Sequence, residues 1–331
     1  MIDGITILIC TFNGKSNLTN TLQGLSKLNL ENIPYTALVL VDNASTDDTS
    51  NFTKRKWEEL GNIFPIQIIK EENPGKINAQ NTGLKIVKTK YVLICDDDNE
   101  LYPDYLGIGY QLLKSNSKIG ALGGRGVVKS EVEIPKWFDS MAYMFACAPQ
   151  AKKTGDVRPE RNVIYGAGMF LNMTAFDISL KAGFDYLLPS RIGKSVVTGA
   201  EDGEICWWLR FAGFEIWYSE DLIFNHHIKP SRLTDEYHIK LLTMFKIGFP
   251  VGKLYLRIFN GELRKPIKFF WLKESLYTIK YILKIPFMKR SEKKMELKRS
   301  ASQLLYFLKE RRNYDNNYHK LLGIYNSLNV K

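Results

Sequence analysis

The chain has 331 residues, of which 45% are hydrophobic and 24% are charged. This composition excludes a disordered chain and indicates an ordinary globular protein, with room for one large domain or for one domain and an appendage. The formal net charge is +11, but 19 of the 46 Lys and Arg residues and only 6 of the 35 Asp and Glu residues lie between Phe249 and Lys331. The basic charge therefore belongs to the C-terminal region.

The cysteines and the N-terminus indicate the compartment. The four cysteines show no CxxC pairing, and three lie in apolar runs, so we expect buried reduced thiols rather than a zinc site or disulfides. The N-terminus leads directly into a predicted strand, without the features of a secretory signal. We therefore expect a cytoplasmic protein.

The first 125 residues alternate between strand and helix patterns with short connections. The predicted strands are 5–10, 37–41, 66–69, 91–95 and 119–122, and the predicted helices are 17–28, 47–60 and 78–87. Alternation of this kind predicts an α/β fold with a mostly parallel, doubly wound sheet flanked by helices. In such folds the ligand lies at the carboxyl ends of the strands.

The rest of the chain is less regular. Residues 129–162 predict an irregular excursion with a short helix, followed by strand-like pieces at 163–168 and 169–172, a helix at 204–212, and strands at 214–218 and 222–224. From about Tyr237 onward the pattern is helical. We therefore predict a catalytic domain over residues 1–235 and a basic helical C-terminal appendage over 236–331.

Three consecutive carboxylates, Asp96-Asp97-Asp98, follow the predicted strand at 91–95. Like charges so close together repel unless a cation or hydrogen-bond donors compensate them. A divalent ion such as Mg²⁺ or Mn²⁺ takes carboxylate ligands and holds substrate phosphates as well. The alternative is a solvated acidic turn that caps a helix starting near Pro103.

Polar residues also follow two other predicted strands, and they would meet the acidic run at one crevice. Thr11-Phe12-Asn13 ends the first strand, and Asp42 ends the second. A carboxylate at Asp42 can accept hydrogen bonds from a nucleobase, whereas an Asx turn and a helix cap would leave Asp42 unexplained. In the loop 73–81, Gly75 permits close approach of a ligand and Lys76 could contact phosphate, although the segment alone is only a loop.

A second acidic cluster, Glu201-Asp202-Gly203-Glu204, stands at a glycine-flanked helix start. An acid there can take a proton from an acceptor hydroxyl, while helix capping accounts for only one of the three acids. His226 and His227 end the last predicted strand, and adjacent residues of a strand face opposite sides. We therefore expect one histidine to bind a metal and the other to be structural or to face the acceptor.

Taken in order, these pieces resemble family 2 of the glycosyltransferases, the inverting nucleotide-sugar enzymes with the Rossmann-like GT-A fold. The matching segments span roughly residues 5 to 235 and are 9–13, 41–47, 78–83, 96–98, 166–170, 201–202 and 222–227. Each segment is degenerate by itself, and the ordered set is specific. Gln80 departs from the pattern, because the family often has Arg there.

The resemblance implies a metal-dependent transfer of a sugar from a nucleoside-diphosphate donor, with UDP-sugar expected, to a hydroxyl of a saccharide, a lipid-linked or another acceptor in polysaccharide or glycoconjugate synthesis. Asp202 would be the catalytic base, and Asp98 with His226 or His227 would bind Mn²⁺ or Mg²⁺. Glu201 and Trp207 would lie on the acceptor side. The donor-binding residues would be Thr11, Asn13, Asp42, Lys76, Asn78, Asp96 and Asp97, of which Asp97 is the member of the acidic run expected to be structural.

Two other functions fit parts of the sequence. The same acids could serve a metal-dependent phosphohydrolase or nucleotidyltransferase, although the segment after Thr11 is a poor Gly-rich loop. A non-catalytic scaffold that binds nucleotide sugars at a membrane is the other alternative. We expect acceptor choice to depend on Trp137, Trp207, Trp208 and the loop 185–200.

The C-terminal region alternates aromatic and aliphatic residues with lysines, as in the segment 268–284. Charges interrupt it too often for a transmembrane helix. It could lie on an anionic membrane, which would make the protein peripheral to the inner face of the membrane, or it could be a helix pair packed on the catalytic domain. No nucleic-acid motif accompanies the charge, so we do not expect a nucleic-acid partner.

Overall fold

A computed structural model describes residues 1–158, 160–188, 201–244, 248–287 and 290–329. Its centre is a nine-stranded sheet in the order β3-β2-β1-β4-β8-β6-β9-β5, with β7 paired to β9. The strands are β1 Ile2–Thr11, β2 Thr36–Asn43, β3 Ile66–Glu71, β4 Thr89–Cys95, β5 Asn99–Leu101, β6 Ile119–Lys129, β7 Gly155–Asp156, β8 Met169–Asn172 and β9 Glu215–His227.

Helices cover the sheet and form the C-terminal region. They are α1 Leu18–Ser26, α2 Thr49–Glu59, α3 Lys76–Ile86, α4 Tyr105–Ser115, α5 Phe138–Met141, α6 Met173–Lys181, α7 Glu201–Phe211, α8 Asp235–Met244, α9 Gly248–Phe259, α10 Phe270–Lys284, α11 Arg290–Lys309 and α12 Arg311–Asn329. Short 3-10 turns lie at Ala142–Phe145, Pro230–Arg232 and Ile285–Phe287.

Strands β3, β2, β1 and β4 form a parallel half-sheet. The central strands of this half are nearly continuous apolar runs because helices cover both of their faces; Ile7, Leu8, Leu40 and Leu93 are fully buried. Strand β8 is antiparallel to both of its neighbours, β4 and β6. Strands β6 and β9 are parallel to each other and run in the same direction as the first four strands. The predicted α/β fold with a mostly parallel sheet is thus confirmed.

The predicted elements differ from the structure in several places. Residues 163–168 form a loop and a turn rather than a strand, because Gly168 takes a left-handed conformation (φ 69°) just before β8. The two predicted strands at 214–224 are one strand, β9, which absorbs a register shift against β6. The short strand β5 and the helix α6 were not predicted.

The C-terminal helices share an apolar core with the end of the catalytic region. Tyr255 of α9 stacks on Trp207 of α7, with ring centroids 4.8 Å apart, and Tyr325 of α12 contacts Phe211. The predicted helical character of this region is therefore observed, and its helices pack on the sheet-bearing part of the chain. Within the described residues, the structure contains no helix that is both long enough and apolar enough to cross a membrane.

Candidate active site

A cleft of ≈ 540 Å³ opens at the carboxyl ends of the parallel strands. Its wall includes the ends of β1 and β4, the turn into α3, and two residues that arrive from the far end of the sheet, His226 and Arg232. The three strand ends expected to converge do so, since Thr11 lies beside Asp42 in the register of β1 and β2, and the acidic run follows β4 on the other side of β1.

The three acids after β4 have different surroundings. Asp96 lies 3.5 Å from Lys76, measured from Oδ1 to Nζ. Asp97 accepts hydrogen bonds from the hydroxyl of Thr11 and from the side-chain amide of Asn17. Burial, and then the charge of Asp98, raise the pKa of the Asp97 carboxyl. Asp97 is therefore engaged mainly with the protein itself.

Asp98 has two cationic neighbours at 3.4 Å, Nε2 of His226 and Nη1 of Arg232. Burial opposes ionisation of the Asp98 carboxyl, but the charges of His226 and Arg232 outweigh it and lower its pKa. Burial also opposes protonation of His226, and the adjacent Asp98 reverses this and raises the imidazole pKa. Asp98 is thus a carboxylate held in the ionised state inside the cleft.

The imidazole of His226 is oriented by a second contact. Its Nδ1 lies 2.6 Å from the carbonyl oxygen of Phe145, which can only accept, so Nδ1 is the donor. In the neutral ring Nε2 then carries the lone pair, and this atom faces Asp98. A carboxylate and an imidazole oriented in this way suit a divalent ion such as Mn²⁺.

The described parts of the chain contain no group of three or more His, Cys, Asp or Glu side chains placed to hold a metal ion. Asp98 and His226 would therefore be the protein's two ligands, and the remaining positions would be left to phosphate oxygens and water, as is usual for Mg²⁺ beside a nucleotide. The residues present fit an ion that binds together with a substrate rather than one fixed by the protein alone.

His227 faces the other side of β9. Its Nε2 lies 3.0 Å from Glu100, and its Nδ1 lies 3.1 Å from the side-chain amide of Asn20. The structure thus separates the two histidines, and His227 is not among the residues that line the cleft. Its role as a metal ligand stays a prediction without a supporting contact.

Asp202 lies at the start of α7, beside Lys76 of the cleft wall. Its Oδ2 accepts a hydrogen bond from the backbone amide of Gly166 at 2.9 Å, and its Oδ1 lies 3.8 Å from Nζ of Lys76. A Cβ atom at Gly166 would stand 2.3 Å from the Asp202 carboxylate. The turn at Gly166 therefore fixes the carboxylate, and Lys76 lies between Asp202 and Asp96.

Three residues predicted to bind the donor make hydrogen bonds within the loops around the cleft. Asp42 is buried at the end of β2, where its carboxylate accepts from the amide of Ser45 and the hydroxyl of Ser50. The side-chain oxygen of Asn13 accepts from the backbone amide of Thr46 at 2.8 Å. Asn78 donates to the carbonyl oxygens of residues 73 and 74. These contacts shape the loops around the cleft, and direct donor contacts remain predictions.

The residues expected on the acceptor side are mostly buried. Glu201 is fully buried, and Trp207 stacks on Tyr255 between α7 and α9. Trp208 belongs to the core, and Trp137 stacks on His238, with ring centroids 4.5 Å apart. Residues 189–200 of the loop predicted to shape acceptor choice lie outside the described residues.

Glu204, the third acid of α7, has a different environment. Its carboxylate accepts hydrogen bonds from the backbone amides of Leu187 and Leu188 at 3.0 and 2.9 Å, and from the hydroxyl of Tyr255 at 2.8 Å. The same hydroxyl accepts from Nε1 of Trp208 at 3.0 Å. Burial raises the pKa of Glu204 to about 7. Glu204 therefore connects α7 and α9 to the segment before residue 189.

Sequence reasoning missed three residues of the cleft. Asn17 bonds Asp97, and Arg232 pairs with Asp98 from the turn after β9. Asn43 also lines the cleft, and its side chain accepts from the amide of Gly75 at 2.7 Å and donates to the carbonyl of Asn73 at 2.8 Å. Asn43 follows Asp42 at a strand end, so its position was a usable signal. Arg232 lies beyond the matching segments, and no spacing in the sequence indicates it.

The chain is similar in sequence to known proteins. The model of the family described as Glycosyl transferase family 2 matches residues 6–177. Poly-beta-1,6-N-acetyl-D-glucosamine synthase of Staphylococcus aureus (strain COL) is 24% identical over 219 residues, 66% of this chain and 48% of that protein. The synthase of the same name from Staphylococcus epidermidis is 28% identical over 133 residues, 40% of this chain and 31% of that protein. The chain spans about half the length of the first of these relatives and less of the second.

Two solved structures resemble the fold. Residues 1–349 of S. aureus TarS, crystallised in complex with UDP-GlcNAc, have a TM-score of 0.51 at 14% identity, covering 98% of this chain and 90% of that one. The mannosyltransferase PcManGT from Pyrobaculum calidifontis, in complex with GDP-Man and Mn²⁺, has a TM-score of 0.52 at 16% identity, covering 93% and 88%. At such identities the likeness concerns the fold.

The chain belongs to glycosyl transferase family 2, because the family model matches more than half of it. The resemblance inferred from the ordered motifs and the GT-A fold are both confirmed. The expectation of an enzyme of the glycosyltransferase class is confirmed at the level of the family.

Proposed function

We propose that this protein transfers a sugar, with inversion, from a nucleoside-diphosphate donor to an acceptor hydroxyl. The observation that carries the proposal is the arrangement of two acidic sites around Lys76, a residue of the cleft wall. Asp96 and Asp98 line the cleft after β4, and Asp202 of α7 lies beside it, within 3.8 Å of Lys76. The first site suits a diphosphate with its cation, and the second suits a proton transfer.

The donor is proposed to be a UDP-sugar. Among the structural neighbours, TarS was crystallised with UDP-GlcNAc and PcManGT with GDP-Man, and the synthases that match the sequence are named for poly-N-acetylglucosamine. These names support a nucleotide sugar and a role in the synthesis of polysaccharide or glycoconjugate. The acceptor would be a hydroxyl of a saccharide, a lipid-linked sugar or a related molecule.

The chemistry follows from the proposed positions. The carboxylate of Asp202 takes the proton of the acceptor hydroxyl, whose oxygen forms a bond to the anomeric carbon as the bond from that carbon to the diphosphate breaks. The donor leaves as the nucleoside diphosphate, and no covalent intermediate with the enzyme forms. The amide of Gly166 orients the carboxylate, and Lys76 supplies a positive charge within reach of both acidic sites.

We propose Mn²⁺ or Mg²⁺ as the cofactor, held by Asp98 and His226. When bound, such an ion would neutralise the charge that develops on the departing diphosphate. Arg232, which lies 3.4 Å from Asp98, adds a positive charge of the protein at this position.

The decisive experiment measures nucleotide release over a panel of UDP-, GDP- and dTDP-sugars, with Mn²⁺, with Mg²⁺ and with a chelator. Asp202→Asn should retain donor binding in calorimetry and lose turnover by about 10²- to 10⁴-fold, because a general base supplies a factor of that size. Asp139→Asn changes an exposed acid outside the cleft and serves as the matched control. Unchanged turnover in Asp202→Asn would reject the assignment, and release of inorganic phosphate or pyrophosphate would favour the phosphohydrolase or nucleotidyltransferase.

The same panel tests the remaining parts of the proposal. Activity that survives the chelator would reject the metal, and tight nucleotide binding without consumption of any donor would favour the non-catalytic scaffold. We also propose that the C-terminal region brings the enzyme to an anionic membrane, supported by its excess of 19 basic over 6 acidic residues from Phe249 onward.

A further inference from the structure

The outward face of α10 presents apolar side chains to solvent in a regular row. Leu272, Leu276, Ile279 and Leu283 follow one another at the spacings of a single helical face, and they are 41 to 68% exposed. Phe269, directly before the helix, is 65% exposed as well. Single exposed apolar residues are ordinary, but a contiguous row indicates a surface that is covered by something else.

A second row lies beside the first, one residue further along the chain. It consists of Lys273, Tyr277, Lys280 and Lys284. Members of both rows, from residue 272 to residue 280, line a groove of ≈ 420 Å³ together with Phe269. The only acid of α10, Glu274, is buried and bound to Arg257. The outward face of α10 is therefore apolar along one edge and cationic along the other, with no acidic side chain.

The inward face of α10 is already occupied by the protein. Phe270 stacks on Tyr318, with ring centroids 4.3 Å apart, and Ser275 and Thr278 are buried against the neighbouring helices. The face of α10 that packs on the protein is thus a different face from the one that carries the outward rows. They form a separate surface.

The backbone at Phe269 adds to this picture. It adopts φ 54° and ψ 43°, a left-handed conformation that is unfavourable for a residue with a bulky side chain. Because the ring remains largely exposed, burial within the protein does not offset the strain. The conformation turns an aromatic ring outward at the end of the apolar row.

We infer that the outward face of α10 binds the surface of an anionic lipid bilayer. This face consists of Phe269, the apolar row 272/276/279/283 and the second row 273/277/280/284. Apolar side chains beside lysines match the acyl boundary and the anionic headgroups of such a surface. A second copy of the chain fits less well, because it would bring another lysine row without acidic partners. The inference rests on the membrane recruitment proposed above for the C-terminal region, and it names the surface that makes the contact.

The test is co-sedimentation of the 331-residue protein with vesicles of phosphatidylcholine alone or mixed with phosphatidylglycerol. We expect binding to the mixed vesicles, and at least about a tenfold loss of affinity in Leu272→Gln/Leu276→Gln and in Lys280→Glu/Lys284→Glu. The controls are Ile178→Gln/Leu180→Gln on α6 and Lys54→Glu/Lys118→Glu, which make the same chemical changes at exposed sites elsewhere. The controls should bind as the unaltered protein does.

Three results would overturn the inference. These are no binding of the unaltered protein to anionic vesicles, equal loss in the controls, or a dimer in sedimentation equilibrium that the α10 substitutions dissociate. Circular dichroism and thermal unfolding verify that each variant is folded. Donor binding and nucleotide release are measured on the same variants without vesicles and should not change, so a failure of lipid binding is distinguishable from a failure of the proposed transferase activity.

Discussion

At the scale of single residues, the three acids after β4 show how position alone separates chemically identical side chains. Asp97 accepts hydrogen bonds from Thr11 and Asn17, Asp98 contacts His226 and Arg232, and Asp96 faces Lys76. The carboxylate of Asp97, which accepts from two side chains of the protein, contributes to the fold, whereas Asp96 and Asp98 face cationic side chains of the cleft wall. The three acids of the run therefore have different surroundings and are not interchangeable.

Gly166 offers a residue-scale prediction about the proposed base. In Gly166→Ala the new methyl group would stand 2.3 Å from the Asp202 carboxylate, so this carboxylate or the turn must move. We expect turnover to fall at least about tenfold with little change in donor affinity, because misplacement of a catalytic group by about 1 Å costs this much or more. Steady-state kinetics and calorimetry of donor binding measure the two effects separately.

The matched control is Gly107→Ala in α4, where a methyl group meets nothing within 4 Å. It should leave turnover unchanged and slightly raise stability, since alanine favours a helix over glycine by about 1 kcal/mol. Full activity in Gly166→Ala would show that the amide of residue 166 does not orient the base.

At the scale of elements, α7 carries both the proposed base and a structural acid two residues later. The carboxylate of Glu204 accepts hydrogen bonds from two backbone amides and from the hydroxyl of Tyr255. It therefore connects α7 to α9 and to the segment at 187–188. The helix that presents Asp202 to the cleft is therefore fixed in part from the C-terminal region.

This junction predicts a pH dependence of stability. The pKa of Glu204 is raised to about 7 in the folded protein, from about 4.3 in an unfolded chain. The unfolded state then binds fewer protons between these values, so the contribution of Glu204 is fully present below the lower value and is lost as the pH rises through about 7. The slope is at most about 1.4 kcal/mol per pH unit.

Chemical denaturation between about pH 5 and about pH 8 tests this prediction. The free energy of unfolding of the unaltered protein, relative to Glu204→Gln, should decline over this range. Glu58→Gln, at an exposed position of α2, is the control. A difference between the unaltered protein and Glu204→Gln that stays constant with pH would contradict the assigned shift.

At the scale of the whole molecule, the C-terminal helices complete the core. Val251, Leu254 and Tyr255 of α9 are almost entirely buried, and they belong to the same apolar cluster as Trp208 and Phe211 of α7. Each such side chain contributes about 1.5–3 kcal/mol when buried, against a typical total stability of 5–15 kcal/mol. The boundary predicted at residue 235 therefore separates two regions that share one core.

A chain that ends at residue 247 should consequently aggregate or bind a hydrophobic dye, because the aromatic face of α7 would be exposed. The measurements are size-exclusion chromatography and dye fluorescence. Leu272→Gln/Leu276→Gln in the full chain, which alters exposed residues only, should remain monodisperse. A monomeric chain 1–247 that unfolds cooperatively would contradict the expectation.

The sequence predicted those parts of the molecule in which local pattern and environment agree. Apolar runs located the parallel strands, and strand ends located Thr11, Asp42 and the acidic run. It failed at 163–168, where apolar residues form a turn whose carbonyl at Gly168 accepts from the hydroxyl of Tyr105, a contact 63 residues away in the chain.

The orientation of side chains was the second limit. Periodicity does not reveal which way Trp207 faces, and the packing of α9 against α7 turns it toward Tyr255. Likewise, strand geometry predicts that His226 and His227 face opposite sides of their strand. Which of the two faces Asp98 depends on the register between β5 and β9, which the sequence does not reveal. Contacts between distant segments decide such cases.

The reversed direction of β8 has one further consequence. Because Met169 pairs with Ile94, the chain enters β8 at the height at which β4 ends, and the amide of Gly166 lies just before that point. The pairing of β4 with β8 thus determines the distance between the acidic run and the amide that binds the carboxylate of Asp202. A slip of one residue along it would shift the anchoring amide by about 3.3 Å, so the spacing of the proposed reaction partners is set by backbone hydrogen bonds in the middle of the sheet.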